Sequence, residues 1–369
     1  MKRIVYISGT RADFGLMKKA LIEIGKNFEL TVIVTGQHLS SNWGDSLSEI
    51  ENSNFKIEKA QMDLTGDGLD SMLVSLGKGI INITDTIKRI GPDLIIIEGD
   101  RSEALAGSIV GSYLNIPVIH QGGGDLSGSI DNKIRYATSM FSDYHFTGNV
   151  QSCNNLKKIG ILNENSIFNS GEPGLDSIYE KQYTTKKILE RKFELDFNKK
   201  IILLIFHPNT EEFSLMKEQI QNILEPLKNN DFQIIGIYAN SDSGGKEINK
   251  VLNDWASKMP NLTLYKHIIH KDFLGLMNAC NLMIGNSSSG LIELPSFKKP
   301  YICVGERQKN RLKAENVISV KANAHEISKA LNLALNDDKF KDKISKLKNP
   351  YGNGSFYRQL NEKIIQILK

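Results

Sequence analysis

The chain has 369 residues, of which 40% are hydrophobic, 8% aromatic and 24% charged, a composition close to that of ordinary globular proteins and unlike that of disordered segments. The 46 basic and 42 acidic residues leave a net charge of only +4, with lysine spread along the chain rather than gathered in a stripe, so no nucleic-acid partner is expected. Cys153, Cys280 and Cys303 are far apart and form no C-x-x-C pair. Neither a disulfide framework nor a zinc site is expected, and with no leader-like start and no apolar run near about 18 residues, the expectation is a cytoplasmic protein with no membrane partner.

Short apolar runs alternate with longer helical patterns. Ile4–Ile7, Leu30–Val34, Asp93–Ile97 and Pro117–Ile119 read as strands, with helical patterns at Met72–Ile90 and Glu103–Leu114. These runs are apolar on both faces, as in strands buried between two helix layers, and strand–helix alternation predicts parallel sheets. After the polar stretch Tyr179–Lys199, which has room for a helix, the rhythm restarts at Ile201–Ile205. Phe232–Tyr238, Leu262–Tyr265, Leu282–Ile284 and Tyr301–Val304 follow. The fold expected is therefore α/β, with two Rossmann-like domains, 1–177 and 178–354. In 355–369 the apolar residues Phe356, Leu360, Ile364, Ile365 and Leu368 share one helical face, and fold analogy suggests that this tail packs back on the first domain.

Polar motifs follow the strands, where open α/β sheets place their ligands. Ser8-Gly9-Thr10-Arg11-Ala12-Asp13-Phe14-Gly15 opens the first helix; it suits an anion, with Arg11 forking onto a phosphate, but also a plain turn with a surface Arg–Asp pair. Glu98-Gly99-Asp100-Arg101 places Asp100 either for chemistry or, as the motif by itself favours, at a helix N-cap. His120-Gln121-Gly122-Gly123-Gly124-Asp125 carries three glycines, which usually mark a close approach of the backbone to something. Asp131 and Arg135 lie four residues apart on a helical pattern.

In the second half, His207 and Asn240 end strands, and a lone histidine there is more often structural than catalytic. Gly285-Asn286-Ser287-Ser288-Ser289-Gly290-Leu291-Ile292-Glu293 is the strongest single motif. Its small residues would let a helix N-terminus approach a diphosphate, with Glu293 taking ribose hydroxyls; a serine-rich helix cap is the plainer alternative. Gly305-Glu306-Arg307-Gln308 offers another cation. No His/Cys cluster suggests a metal.

Several of these pieces, with Thr35-Gly36-Gln37-His38-Leu39, Ser127-Gly128-Ser129-Ile130-Asp131 and Phe206-His207-Pro208, stand in an order and spacing that resembles the hydrolysing UDP-N-acetylglucosamine 2-epimerases of sialic-acid biosynthesis. The resemblance covers nearly the whole chain, and a subgroup with the same motifs acts on UDP-2,4-diacetamido-trideoxyhexoses for legionaminic acid. It implies a glycosyltransferase-B-like fold with the site between domains, a UDP-sugar ligand, no cofactor, and a homo-oligomer, dimer or tetramer. It also implies two steps. Loss of the C2 proton and of UDP gives a glycal; water then adds with the opposite C2 configuration, releasing UDP and a free manno-configured sugar.

By position, Arg11, Ser287, Ser288, Glu293 and Arg307 match UDP contacts. Asp100 and Asp131 match catalytic acids, and His207 a cleft histidine. Arg101, His120 and Asn240 are expected to join the substrate contacts. Where the family usually reads His-x-Glu-Gly-Gly-Glu, the first glutamate falls on Gly122 and the second is shortened to Asp125. Glycine transfers no proton, so Asp125, on a mobile glycine run, is the expected substitute, with Glu98 next in line. Loss of that carboxylate keeps alternatives in play: a non-hydrolysing 2-epimerase, a UDP-sugar-dependent glycosyltransferase, or a non-catalytic nucleotide-sugar-binding protein.

Overall fold

The apolar runs become strands buried on both faces. In β1 (Arg3–Ser8), Ile4 and Tyr6 enter one core and Val5 and Ile7 the other, so a run without polar alternation still alternates in direction. The computed structural model describes residues 1–40, 46–63, 69–127, 131–161, 163–228, 230–240 and 243–369. The chain divides into two units, the first built on Met1–Leu126, Ile130–Glu180 and Tyr351–Lys369 and the second on Lys181–Pro350.

The first unit holds β1, β2 (Glu29–Val34), β3 (Lys56–Lys59), β4 (Leu94–Glu98), β5 (Val118–Gln121), β6 (Tyr144–Thr147) and β7 (Ile167–Asn169). They form one parallel sheet in the order β3-β2-β1-β4-β5-β6-β7. One face is covered by Phe14, Met17 and Leu21 of the helix Arg11–Gly25, together with Phe356, Leu360 and Ile364 of the C-terminal helix Phe356–Ile367. The other is covered by Ile83 and Ile87 of the helix Leu69–Ile90 and by Ala106 and Val110 of the helix Ser102–Tyr113. Asp176 fixes the start of the C-terminal helix by accepting the Phe356 and Tyr357 amides at 2.9 and 2.8 Å, satisfying two donors that a helix start leaves open.

The second unit holds β8 (Lys200–Ile205), β9 (Phe232–Ile237), β10 (Leu262–Tyr265), β11 (Leu282–Gly285), β12 (Tyr301–Val304) and β13 (Val317–Val320). Its parallel sheet runs β10-β9-β8-β11-β12-β13. The polar joint between the two rhythms contains the helix Lys186–Lys192. In both sheets the order reverses beside the first strand, between β1 and β4 and between β8 and β11. The crevice at such a reversal is where doubly wound folds bind ligands. The apolar pattern left out β3, β6, β7 and β13: three are sheet edges, and β6 carries His145 and Thr147 into the interior.

Candidate functional site

At the end of β1 the turn is organised by Asp13, which is buried rather than paired with Arg11 at the surface. Its carboxylate accepts the Gly9 and Thr10 amides at 3.0 and 2.8 Å and the Ser8 hydroxyl, while Thr10 Oγ1 accepts the Asp13 amide in a capping box. Burial outweighs these bonds and pushes the Asp13 carboxyl up to about 6. Ser8 Oγ lies 2.9 Å from His38 Nε2, and His38 Nδ1 lies 2.8 Å from Ser46 Oγ. With the Ser8 proton given to Asp13, Ser8 must accept from Nε2–H. Arg11 opens the helix half-buried, and burial lowers its pKa, a penalty on the positive charge that a bound anion would offset.

At the ends of β4 and β5 the structure corrects three expectations. Asp100 is not a helix cap: the N-cap of the helix Ser102–Tyr113 is Arg101, with no side-chain cap bond. The Asp100 carboxylate instead pairs with Arg135 Nη2, and Arg135, only 1% exposed, also donates from Nη1 to the Asp125 carbonyl at 2.9 Å. His120, expected to join the substrate contacts, lies in the interior of the first unit. It is fully buried, with Nε2 2.8 Å from the Gly99 carbonyl and Nδ1 3.0 Å from Ser139 Oγ, and burial drops its pKa to about 4, so the ring stays neutral.

Asp125, finally, sits on no mobile arm. It is buried, accepts from Ser152 Oγ in the first turn of the helix Val150–Lys158 and lies 3.4 Å from Nδ2 of Asn149, the N-cap of that helix. The glycines are explained by the same packing. A Cβ on Gly124 would stand 2.1 Å from the Ser152 carbonyl oxygen, and one on Gly123 would stand 2.9 Å from Ser139 Oγ. The close approach at Gly123 and Gly124 is to the chain itself. Asp131 opens the helix Asp131–Met140, half-buried; Gly128, Ser129 and Ile130 before it lie outside the described residues, as do Ser241 and Asp242.

In the second unit His207, Asn240 and the serine motif come together through Asn286. Asn286 Oδ1 accepts the His207 amide at 2.7 Å and Nδ2 donates to the His207 carbonyl at 2.8 Å. The Asn286 carbonyl takes Arg307 Nη1 at 3.3 Å and Gln308 Nε2 at 3.0 Å. His207 Nδ1 accepts the Asn240 amide at 3.2 Å, which leaves Nε2 as the protonated nitrogen of a neutral ring.

Gly285 has φ +136°, and a Cβ there would stand 1.8 Å from the Ile205 carbonyl oxygen, so β11 can run this close to β8 only with glycine. The helix that follows, Ser289–Ile292, is a single turn, shorter than the dipole argument supposed, and the Ser288 hydroxyl does not cap it. Glu293 is buried, and its Oε2 has no hydrogen-bond partner among the described residues. Burial pushes its carboxyl up to about 7. A buried acceptor left unsatisfied by its own chain is poised for a donor from outside.

Sequence reading missed Asn286 as the stitch between β8 and β11, although it stands inside the motif. It also missed Glu103, which is buried with its Oε1 unpartnered among the described residues. A Cβ on Gly9 or Gly36 would stand 2.4 Å from Glu103 Cγ or 2.3 Å from its Oε1 respectively; two glycines far apart in sequence were its only trace.

Known proteins resemble the chain in sequence and in fold. The chain is 35% identical over 372 residues to the UDP-N,N'-diacetylbacillosamine 2-epimerase (hydrolyzing) of Legionella pneumophila, covering 100% of this chain and 96% of that protein. It is 33% identical to the GDP/UDP-N,N'-diacetylbacillosamine 2-epimerase (hydrolyzing) of Campylobacter jejuni, over 87% of this chain and 85% of the other. The crystal structure of UDP-GlcNAc 2-epimerase from Neisseria meningitidis bound to UDP-GlcNAc superposes with a TM-score of 0.83 at 23% identity, over 99% of this chain and 100% of that one. That likeness assigns the two sheets to the glycosyltransferase-B-like class. The pattern of the UDP-N-acetylglucosamine 2-epimerases matches residues 21–369, and the chain belongs to that family.

Proposed function

We propose that the protein is a hydrolysing 2-epimerase that converts a UDP-linked 2-acetamido sugar to UDP and the free C2-inverted sugar by elimination and rehydration. The observation that carries this reading is the full-length identity of 35% to a relative whose name states a hydrolysing reaction. The site is consistent with it. Removing a weakly acidic C2 proton needs a placed base and rehydration needs an acid, and Asp100, fixed by Arg135, and Asp131 at a helix start are carboxylates available to the reaction in this reading. A departing diphosphate needs donors and cations. Arg11, Arg101, Ser287, Ser288, His207 Nε2–H and Arg307 would supply them, with Asn240 orienting His207 and Glu293 taking the ribose hydroxyls. Asp125 and His120 act on the reaction through the backbone they hold.

The two named relatives make a UDP-2,4-diacetamido-trideoxyhexose the first substrate to try and UDP-GlcNAc the second. The test is NMR of either reaction in D₂O. The expected products are UDP and a free manno-configured sugar bearing deuterium at C2. A UDP-sugar epimer with no free sugar would favour the non-hydrolysing alternative, and free sugar without C2 deuterium would remove elimination altogether.

A further inference from the structure

We propose that Glu98 is the carboxylate that takes the C2 proton in the first step, working over bare backbone that Gly99 and Gly122 leave at the ends of β4 and β5. The inference rests on the epimerase reading above and adds to it a residue that the family pattern does not supply.

Glu98 is the last residue of β4 and is paired in register with Gln121 of β5. The next residues, Gly99 and Gly122, have φ of +82° and +84°, and their amides donate hydrogen bonds of 2.9 Å each to the carbonyls of Gln121 and Phe146. A Cβ on Gly99 would have nothing within 4 Å. A Cβ on Gly122 would have Glu98 Oε1 at 3.8 Å and the Gly99 backbone at 3.6 Å. A short acidic side chain at 122 would put its carboxyl within two bonds of that point. Glu98 therefore brings from the neighbouring strand the group that Gly122 lacks, and it does so beside Asp100.

Asp13 holds the β1 turn and Asp125 holds the helix Val150–Lys158. Asp100 is ion-paired with a buried arginine. Glu98 is half-buried, at the strand end itself.

The step balances without a further reagent. Glu98 accepts the C2 proton, the C–H electron pair becomes the C1=C2 bond, and the C1–O bond breaks with its pair leaving on UDP. In hydration a carboxylic acid gives a proton to C2 while the oxygen of water bonds to C1, and the proton released by that water restores the acid. Glu98 returns its own proton to solvent, which accounts for solvent hydrogen at C2.

The test uses the full chain with three variants, Glu98→Gln, Glu98→Asp and Glu98→Ala, and reads UDP release, UDP affinity by calorimetry and thermal unfolding. Glu98→Gln should slow turnover at least about 100-fold, with UDP affinity and the unfolding midpoint near those of the parent. Glu98→Asp should retain part of the activity, and added formate should restore part of it to Glu98→Ala, which a merely structural role would not allow. Turnover of Glu98→Gln within tenfold of the parent overturns the proposal, as does loss without formate rescue accompanied by weakened UDP binding. If the parent itself releases no UDP from any UDP-2-acetamido sugar, the epimerase reading fails and Glu98's role falls with it; an active parent with an indifferent variant removes Glu98 alone.

Discussion

Two glycine-rich turns look alike in the sequence and do opposite things. In the first unit, Gly122–Gly124 folds down on its own chain: Gly124 abuts the Ser152 carbonyl, and Asp125 is bonded to Ser152 and Asn149. In the second, Gly285 abuts the Ile205 carbonyl just as tightly, yet the turn ends in Glu293, buried with one oxygen unpartnered among the described residues. Glycine reports that something comes close; only the neighbouring polar atoms tell whether that something is the chain or a ligand. A carboxylate satisfied by its own fold stabilises the fold. One buried without that satisfaction is a cost that binding can offset.

Substitutions that separate these cases follow, in order of expected effect. Gly285→Ala would force a Cβ to 1.8 Å from backbone at φ +136° and should destabilise the chain by roughly 3 kcal/mol or more, or prevent its folding. A urea melt checks this, and an ordinary transition would mean that β11 can shift from β8. Asp125→Asn weakens a bond to a charged acceptor and should lower stability by about 1–3 kcal/mol with UDP affinity unchanged. Normal stability with lost turnover would instead return Asp125 to the chemistry.

Glu293→Gln should act with the opposite sign. The Glu293 carboxyl rises from 4.5 to about 7 in the folded chain, so the unfolded chain ionises first as pH rises. Stability is therefore lost between those two values, and the whole penalty is present above them. The variant should be more stable than the parent by about 1–2 kcal/mol at pH 8 and equal to it near pH 4, while binding UDP more weakly by about 1–3 kcal/mol. Melts at the two pH values and calorimetry with UDP test both halves. If the variant loses stability at pH 8, Glu293 already has an internal donor and the contrast between the turns disappears.

How far the sequence carried depended on whether a signal was local. Ile4–Ile7 and Ile201–Ile205 announced central strands because both faces are apolar. Lys56–Lys59 and Ile167–Asn169 did not, because an edge strand needs little apolar surface and can be very short. Polar strand ends placed the motifs at the carboxyl edges of both sheets. What could not be read was pairing across long separations. Asp125 meets Ser152 27 residues on, and Arg135 reaches Asp100 across 35. Glu98 stands over Gly122 only because β4 and β5 are neighbours in register. Asp131 and Arg135 do lie four apart on one helix, and the spacing gave no sign that Arg135 also reaches Asp100 and the Asp125 carbonyl.

The C-terminal helix Phe356–Ile367 also sets an order of events during synthesis. It seals the first unit with Phe356, Leu360 and Ile364, its Phe356 ring centroid 6.2 Å from that of Phe146, yet it is made after the second unit. The 170 residues of Lys181–Pro350 are made between the body of that unit and its cover. At translation rates of about 5–20 residues per second, that interval lasts roughly ten to thirty seconds. Throughout it, the face of the first sheet that the helix will cover is open to water and to other nascent chains, and the second unit has all its strands before the first has its last helix.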